Sequence, residues 1–532
     1  MAQTPLMKQY KDIKSEHQDS ILFFRLGDFY EVFYEDAVKT SKELGITLTS
    51  RNREKDEDVP MAGVPYHSVN SYIAKLISKG YKVAICDQVE DPKLAKGIVK
   101  REVTKIITPG TIIDVDSLDS KSNNYLLSIR VDEDKIGIAY IDITTGEFKV
   151  TEIEESPECI RLFNELNKIE PKEILVTNSF YETIKEKLDD FVQKNNATVS
   201  IVSKVRDSEK LLADYFNVVS LESYGIKDKK AVIEAAAIAL DYAMSMQVEN
   251  DLTVEKIEYL NVSNYAEINA ITAKNLELVK NQREKTFYGS LLWVLDKCKS
   301  SMGTRLLKRY INNPLLDIDE IIKRQNDVQF FIDNILMRED LKEKLENVYD
   351  LERLMGKIIF GNENGKDLIA LKNTVKASIE IMNILRNTHF SDEINTDVLT
   401  DIYNLLEESI DENAPFTVRE GGIIKKGYNA ELDEIHSIMN SGKDFLLEIE
   451  KKEREATGIK TMKIKYNKVF GYFIEITKSN LHMVPDTYIR KQTLSNTERF
   501  ITPELKKYED TIINSKAKIE DLEYYLFKEV SG

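Results

Sequence analysis

The chain has 532 residues, of which 42% are hydrophobic and 31% are charged, and its formal net charge is −17. This length and composition predict several folded domains and exclude a disordered or fibrous chain. No run of about 18 apolar residues occurs, and the first residues lack the basic and apolar regions of a signal peptide, so we expect a cytoplasmic protein.

Cysteine and histidine residues are few and widely spaced. The three cysteines, Cys86, Cys159 and Cys298, are odd in number and too far apart for a CxxC site, which argues against a disulfide framework or a thiolate metal site. None of the five histidines has a partner at metal-ligand spacing. We therefore expect reduced cysteines and no bound metal.

Two short segments are basic although the whole chain is acidic. Residues 93–105 contain five basic residues and one acidic residue, and residues 460–491 contain seven basic and two acidic residues. Local positive charge of this kind is what contact with DNA phosphates requires. Solvated surface faces are the alternative interpretation of each segment.

Strand and helix signals alternate up to about residue 110. The apolar run Ile21–Leu26 predicts a buried strand. Apolar residues then recur at helical spacing over Val69–Ile77, with Ser68 placed to cap the helix and Gly80 to end it. Another strand is predicted for Tyr81–Val89, so we expect a small α/β domain.

A second α/β unit follows a polar linker at residues 114–123. Its elements are predicted from runs of apolar and β-branched residues and from helical periodicity. The predicted strands are Leu126–Val131, Ile136–Thr144, Glu147–Val150 and Glu173–Thr177, and the predicted helix is Cys159–Lys168.

From about Asp251 onward, helical periodicity predicts a nearly all-helical region. One long helix is predicted to run from Leu432 toward Gly458, and another covers Leu505–Leu526. Between them, Thr461–Ile476 is rich in β-branched and aromatic residues and predicts strands. This order predicts a helical hairpin that carries a basic β module at its tip.

Phe29 and Glu31 form a candidate functional pair in the segment Leu26–Glu31. Residues two apart project to the same side of an extended chain, whereas on a helix they point about 200° apart. The pair can therefore act together only outside a helix. From the spacing alone, the alternative is a core phenylalanine next to a solvated glutamate.

Eight segments closely resemble the bacterial MutS family of DNA mismatch repair. They are Gly27–Glu31, Phe33–Ala37, Pro60–His67, Thr108–Thr111, Tyr140–Glu147, Met302–Arg305, Phe470–Tyr472 and Arg490–Leu494. Because these segments span essentially the whole chain in the family's order, the chain is identified as a member of this family.

The resemblance implies recognition of mismatched DNA, with Phe29 inserted from the minor groove as a wedge and Glu31 meeting a base edge. Unstacking a base step costs about a few kcal/mol, and less where pairing is already defective. Further DNA contacts predicted from the resemblance and from charge are Arg51, Arg53, Met61, His67, Asn70, Lys465, Asn467, Lys468, Arg490 and Lys491.

The resemblance also implies a multidomain fold that is α/β in its first part and mainly α in its second. We expect a mismatch-binding α/β domain, an RNase H-like α/β connector, a helical core and lever, an inserted β-rich clamp and a returning lever helix. The predicted boundaries, in that order, are 1–112, 113–250, 251–424, 425–504 and 505–532.

Family members carry a C-terminal ABC-type ATPase domain, which binds ATP and Mg²⁺. The chain is expected to stop before that domain and to contain no enzyme site or cofactor of its own. Its nearest phosphate-loop sequence, Gly361–Asp367, has one residue too few between the glycines, and Asp367 stands where Ser or Thr should bind magnesium. The resemblance further implies a homodimer in the intact protein, a MutL-type partner, a sliding clamp and a location at the bacterial nucleoid.

Three other functions are alternatives. A nonspecific or junction-binding DNA clamp of the same family would use the same arms, but the presence of Phe29 and Glu31 argues against it. An RNase H-like nuclease could use Asp142 and Glu147 to hold two metal ions, but no matching carboxylates follow in the later strands. A structural scaffold would leave both basic segments unexplained.

Overall fold

The computed structural model describes residues 5–51, 59–90, 97–113, 118–154, 159–247, 252–394, 397–467 and 471–532. The described chain combines three β-sheets with many helices, which confirms the mixed α/β and helical fold class. It divides into two compact units. The first comprises Met1–Glu363 and Glu380–Ile394, and the second comprises Asn364–Ile379 and Asn395–Gly532.

The N-terminal domain is a mixed sheet with helices on both faces. Its sheet has the strand order β3-β4-β2-β1-β5-β6, in which β1 is antiparallel to β2 and parallel to β5. The elements are α1 (Pro5–Glu16), β1 (Ser20–Leu26), β2 (Phe29–Phe33), α2 (Tyr34–Leu44), β3 (Thr49–Arg51), β4 (Val59–Pro65), α3 (Val69–Ile77), β5 (Lys82–Gln88) and β6 (Arg101–Ile107).

Apolar residues on both sides of β1 explain why this sheet is covered twice. Leu22 and Phe24 pack with Tyr10 of α1, whereas Phe23 packs with residues of α2 and α3 on the opposite face. Ser68 occupies the predicted N-cap position of α3, but its hydroxyl donates to the Pro65 carbonyl of the preceding 3₁₀ turn and does not cap the helix.

The connector region has a second mixed sheet, with the strand order β11-β10-β7-β8-β9-β12. Helix α7 lies directly on β8, because a Cβ atom added to Gly137 would be only 2.2 Å from the carbonyl carbon of Ala231. The elements are β7 (Leu126–Asp132), β8 (Lys135–Asp142), β9 (Glu147–Glu154), α4 (Ile160–Ile169), β10 (Glu173–Val176), α5 (Asn178–Asn195), β11 (Thr198–Ile201), α6 (Ser208–Tyr215), α7 (Lys230–Met246) and β12 (Glu258–Tyr259).

The following region is helical, but its start differs from the prediction. Between Leu252 and Ser290 the described chain consists mainly of turns and short elements, because polar and turn-forming residues interrupt the apolar periodicity. The helices are α8 (Ala270–Asn275), α9 (Leu291–Leu295), α10 (Ser301–Asn312), α11 (Ile318–Asp333), α12 (Ile335–Leu345), α13 (Leu351–Ile359), α14 (Gly365–Leu385) and α15 (Thr400–Ser409).

Two long helices then flank a third sheet within the second unit. They are α16 (Ala430–Thr457), which ends at Gly458 with a φ of 77°, and α17 (Pro503–Ser531). The sheet has the order β13-β14-β16-β15 and comprises β13 (Lys463–Asn467), β14 (Gly471–Thr477), β15 (Ile489–Thr493) and β16 (Thr497–Ile501). Both long helices and the first part of the β insert are therefore as predicted. No helix in the described ranges combines the length and apolar character needed to cross a membrane.

Candidate nucleic-acid interface

Phe29 begins β2 directly after the turn that joins it to β1. Gly27 in this turn has a φ of 59°, a conformation that glycine adopts without strain. Leu26 and Phe29 are paired across the turn. The ring of Phe29 therefore stands at the end of the strand, where it is 47% exposed.

Phe29 and Glu31 project to the same face of β2, as expected for an extended segment. Further along that face, Phe33 is buried against Tyr10 of α1. On the neighbouring strand β4, Gly63 pairs with Glu31 and offers no side chain. A Cβ atom on Gly63 would lie 3.5 Å from Glu31 Cγ and 3.9 Å from Phe29 Cδ1. The two predicted side chains therefore have bare backbone beside them.

Glu31 is half-buried and its carboxylate faces Arg51 at the end of β3. The distance from Arg51 Nη1 to Glu31 Oε2 is 3.3 Å. Burial raises the pKa of Glu31 above its ordinary value, and the charge of Arg51 opposes this shift. Arg51 also lies over the Phe33 ring, 5.8 Å from its centroid. We call Phe29, Glu31, Arg51 and Gly63 the recognition surface.

Two residues that the sequence did not single out hold the turn before Phe29. Arg25 Nε donates a hydrogen bond of 2.5 Å to the Gly27 carbonyl, and the Tyr66 amide donates one of 2.9 Å to the Asp28 carbonyl. The guanidinium of Arg25 also stacks on Tyr66, 4.1 Å from the ring centroid. Both carbonyls of the turn are thus fixed from outside it.

The other predicted DNA contacts of this domain differ in how far they are exposed to solvent. His67 and Asn70 are exposed just after β4, and the His67 ring meets Tyr66 edge-on. Met61 is half-buried and packs against the core under α1. The contact of Met61 with DNA stays a prediction. Arg53 lies outside the described residues.

The basic segment at residues 93–105 is only partly available to a ligand. Arg101 is buried, and its guanidinium donates to the Arg25 carbonyl and to Gln9. Lys100 forms an ion pair of 2.6 Å with Glu102. These contacts favour a structural role for Arg101, although the sequence counted it within a basic segment suited to DNA. Lys93 and Lys96 lie outside the described residues.

The second predicted interface is the sheet β13–β16, which we call the clamp sheet. One face carries a small core with Ile474 and Phe500. On the opposite face, Lys465 Nζ pairs with Glu475 Oε1 at 2.7 Å, and Arg499 lies over the Phe473 ring at 4.3 Å. The predicted contact Lys465 is therefore partly neutralised by its cross-strand neighbour.

The remaining predicted clamp residues lie at the strand ends. Asn467 is the last residue of β13. Arg490 is exposed and lies 3.8 Å from Glu498, a distance typical of a weak surface ion pair. Lys491 is exposed at an irregularity in the pairing of β15 with β16. Lys468 lies outside the described residues.

Four lysines around the clamp sheet are exposed and have no ion pair within the described ranges. They are Lys460, Lys463, Lys478 and Lys491. The sequence counted all four lysines within the basic segment, but it named only Lys491 among the predicted contacts. Lys465 pairs with Glu475, whereas these lysines form no ion pair within the described ranges. Only the fold reveals this difference.

Comparison with protein families covers most of the chain. The model described as MutS domain I matches residues 4–116, MutS domain II matches residues 124–257, and MutS domain III matches residues 271–531. The chain belongs to the MutS family.

Curated MutS relatives are similar over the full length of this chain. The DNA mismatch repair protein MutS of Fusobacterium nucleatum subsp. nucleatum is 54% identical over 536 residues, which is 100% of this chain and 60% of that protein. The protein of the same name from Halothermothrix orenii is 45% identical over 537 residues, which is 99% of this chain and 59% of that protein. The chain thus spans about 60% of the length of these MutS relatives.

The connector carboxylates considered for a nuclease site are used within the MutS fold. Asp142 is fully buried and accepts hydrogen bonds from Asn123 Nδ2 at 2.9 Å and Thr144 Oγ1 at 2.6 Å. Glu147 pairs with Arg309 at 3.1 Å. Within the described ranges, no group of three or more His, Cys, Asp or Glu side chains could hold a metal ion. These contacts favour a structural role for both carboxylates.

The segment that resembles a phosphate loop joins two helices. Gly361 follows α13 with a φ of 64° and donates its amide to the Ile358 carbonyl. Asn364 then caps α14, since its side-chain oxygen accepts hydrogen bonds from the amides of Lys366 and Asp367. The segment therefore ends α13 and caps α14.

Proposed function

We propose that the chain binds mismatched double-stranded DNA in mismatch repair, with the recognition surface testing the base pairs and the clamp sheet gripping the backbone. The observation that carries this proposal is the exposed Phe29 ring, held beside Glu31 on one strand face and next to the bare backbone of Gly63. The MutS relatives, which are named DNA mismatch repair proteins, support it.

Phe29 would act by inserting between base pairs from the minor groove. A wedge of this kind unstacks one base step, and the cost of about a few kcal/mol falls where pairing is already defective. An exposed ring on a fixed turn suits this role, because little side-chain and backbone freedom is lost on binding. Discrimination then follows from the deformability of the DNA.

Glu31 would meet a base edge beside the inserted ring. A carboxylate is repelled by DNA phosphates, but Arg51 offsets its charge at 3.3 Å, and burial favours its protonated form. In the charged state Glu31 accepts a hydrogen bond, and in the protonated state it can also donate one. The adjacent Gly63 leaves room for the base edge.

The clamp sheet would supply affinity without reading sequence. Lysine contacts to phosphates release counterions and strengthen binding at low salt, but they do not distinguish a mismatch from a matched pair. The unpaired Lys463, Lys478 and Lys491 suit this role, together with Arg490.

The finer expectations for the intact protein belong to the same proposal. They are an RNase H-like connector, a homodimer, a MutL-type partner, a sliding clamp and a bacterial nucleoid location. The antiparallel unit β7-β8-β9, with β10 and β11 parallel to β7, supports the RNase H-like connector. No step of the proposed recognition uses ATP.

The test compares binding to G·T-mismatched and matched duplexes of the same sequence at fixed salt. Three proteins are measured: the unmodified chain, Phe29→Ala, and Phe416→Ala as a matched control. Phe416 is also an exposed phenylalanine, so the control removes the same ring elsewhere. Melting temperatures of all three proteins establish that the variants are folded.

We expect a mismatch preference that Phe29→Ala removes and Phe416→Ala retains, with matched-duplex affinity unchanged. A preference that survives Phe29→Ala would overturn the wedge. Equal binding of both duplexes by all three proteins would favour the alternative of a nonspecific or junction-binding clamp.

A further inference from the structure

A large cavity lies within the first unit, between the connector and the helices that follow it. Its volume is about 1420 Å³, and it is lined by residues of both regions. Ligand cavities in proteins typically measure about 300–1,000 Å³, so this one has room for a small organic ligand. The recognition surface contributes no residue to its walls.

One wall of the cavity carries three lysines around a single glutamate. Glu170 follows α4 and pairs through one carboxylate oxygen with Lys280 and through the other with Lys308 of α10, at 2.5 Å in the second case. Lys172, two residues after Glu170, also lines the cavity and has no ion pair within the described ranges. We call these four residues the cavity cluster, and its formal charge is +2.

The surplus positive charge is unfavourable in this setting. The charges of Lys308 and Lys280 overcome the effect of burial and lower the pKa of Glu170 to about 2, so the carboxylate stays ionised. Burial against the cavity walls lowers the pKa of Lys172, and the charges of Lys280 and Lys308 lower it further. The carboxylates of Glu170 and Asp119 oppose this shift. Lys172 nevertheless stays accessible to solvent. A bound anion would relieve this repulsion.

We propose that the cavity cluster binds the phosphate group of a small ligand, with Lys172 as the principal contact and Lys280 and Lys308 shared between the ligand and Glu170. A phosphate dianion matches the surplus charge of the cluster, and ammonium groups form strong charge-assisted hydrogen bonds to phosphate oxygens. Free phosphates and nucleotides share this chemistry, and the cavity volume admits either.

The proposal is tested by calorimetric titration of the 532-residue chain with inorganic phosphate, pyrophosphate and ADP, without magnesium. Sodium chloride holds the ionic strength constant, so that general screening does not differ between titrations. Lys172→Met removes the principal contact. Lys204→Met is the matched control, because Lys204 is exposed and does not line the cavity. Glu170→Gln removes the competing carboxylate, and melting temperatures verify the fold of every variant.

We expect saturable binding of pyrophosphate that Lys172→Met weakens by about tenfold or more, the effect of losing one charge-assisted hydrogen bond. Lys204→Met should bind like the unmodified chain, and Glu170→Gln should bind more tightly. A variant that had merely lost its fold could not gain affinity. The opposite changes in affinity expected for Lys172→Met and Glu170→Gln therefore separate an effect on binding from an effect on stability. ADP binding tighter than pyrophosphate would assign a nucleotide, and the reverse order would assign a free phosphate.

Two results would overturn the proposal. One is the absence of saturable binding of all three probes to the unmodified chain. The other is equal binding by Lys172→Met and Lys204→Met, which would place any bound anion elsewhere on the surface.

Discussion

The recognition surface and the clamp sheet are both β surfaces, but they use charge in opposite ways. At the recognition surface the one carboxylate is offset by Arg51, and the exposed group is the apolar ring of Phe29. Around the clamp sheet, several exposed lysines, including Lys463 and Lys478, form no ion pair with any residue that the structure describes. An apolar wedge senses deformability of the DNA, whereas lysines sense only phosphate charge. Under the proposed function, the first surface gives specificity and the second gives affinity.

Replacing the unpaired clamp lysines should have the largest effect on DNA binding. The triple variant Lys463→Gln, Lys478→Gln and Lys491→Gln should lower affinity for matched and mismatched duplexes alike, by roughly 100-fold at 0.15 M salt. The slope of log affinity against log salt should become shallower by about 0.9 for each lysine that contacts a phosphate. Fluorescence anisotropy titrations at several salt concentrations measure both quantities.

The control for this prediction is the same substitution at three exposed lysines of the first unit, Lys204, Lys274 and Lys297. If the control triple lowers affinity as much as the clamp triple does, the effect reflects net charge alone. A selective loss of mismatch binding in the clamp triple would contradict the separation of roles.

The next largest effect is expected on the stability of the clamp sheet, when a substitution distorts its backbone. Gly471 has a φ of 72°, and a Cβ atom there would lie 1.5 Å from Glu509 Oε1, so Gly471→Ala must displace that side chain. We expect a loss of about 2 kcal/mol in the stability of the clamp sheet, from backbone strain and the forced movement. Hydrogen exchange of the β13–β16 amides measures this loss.

Gly422→Ala separates the two causes. Gly422 also has a positive φ, of 82°, but a Cβ atom there meets nothing within 4 Å. It should cost only about 1 kcal/mol, the backbone contribution. Equal losses in the two variants would show that Glu509 moves without cost.

Loosening the turn before Phe29 should reduce specificity while sparing affinity. Arg25→Ala removes the hydrogen bond to the Gly27 carbonyl and the stacking on Tyr66, so the ring is held less firmly before binding. Losing contacts of this size, about 1 kcal/mol, should lower the mismatch preference by about fivefold. The ratio of mismatched to matched affinities measures it.

Arg25→Lys then distinguishes positioning from charge. It keeps the positive charge but not the planar group that stacks on Tyr66 and donates from Nε. A positioning role predicts that both variants lose specificity. Full specificity in Arg25→Lys would instead show that the positive charge alone holds the turn, without the planar group.

Local sequence patterns predicted the strand before Phe29, the two long helices and the basic segment of the clamp, because periodicity and local charge determine these features. They did not predict β15 or β16, whose residues are mostly polar and gain their stability from pairing with β14 and packing on its core. Resemblance supplied the roles of Phe29 and Glu31, which their spacing alone could not.

Long-range contacts account for the other differences. Arg101 appeared as part of a basic surface, yet it is buried because it reaches the carbonyl of Arg25, 76 positions earlier in the chain. Arg25 and Tyr66 meet only when β1, β2 and β4 assemble into one sheet. A count of local charge cannot tell a lysine paired across strands, such as Lys465, from an unpaired one such as Lys463.

The smallest expected effect concerns the protonation of Glu31. Its pKa is raised by burial against the charge of Arg51, so the folded chain takes up this proton at a higher pH than the unfolded chain. If the protonated acid donates to a base edge, the mismatch preference should rise by about threefold as the pH falls through the folded-state pKa of Glu31, within the range for one hydrogen bond. Glu31→Gln cannot titrate, so its preference should not change with pH.

The pH dependence of the unfolding free energy, compared between the unmodified chain and Glu31→Gln, tests the direction of the Glu31 pKa shift independently. With a raised folded-state pKa, the stabilisation of the protonated form is complete below the unfolded pKa, about 4.3, and is lost as the pH rises through the folded pKa. Denaturant melts should therefore show Glu31→Gln gaining stability relative to the unmodified chain as the pH increases. A mismatch preference that is independent of pH in both proteins, with this stability trend present, would assign Glu31 to accepting a hydrogen bond as the ionised carboxylate.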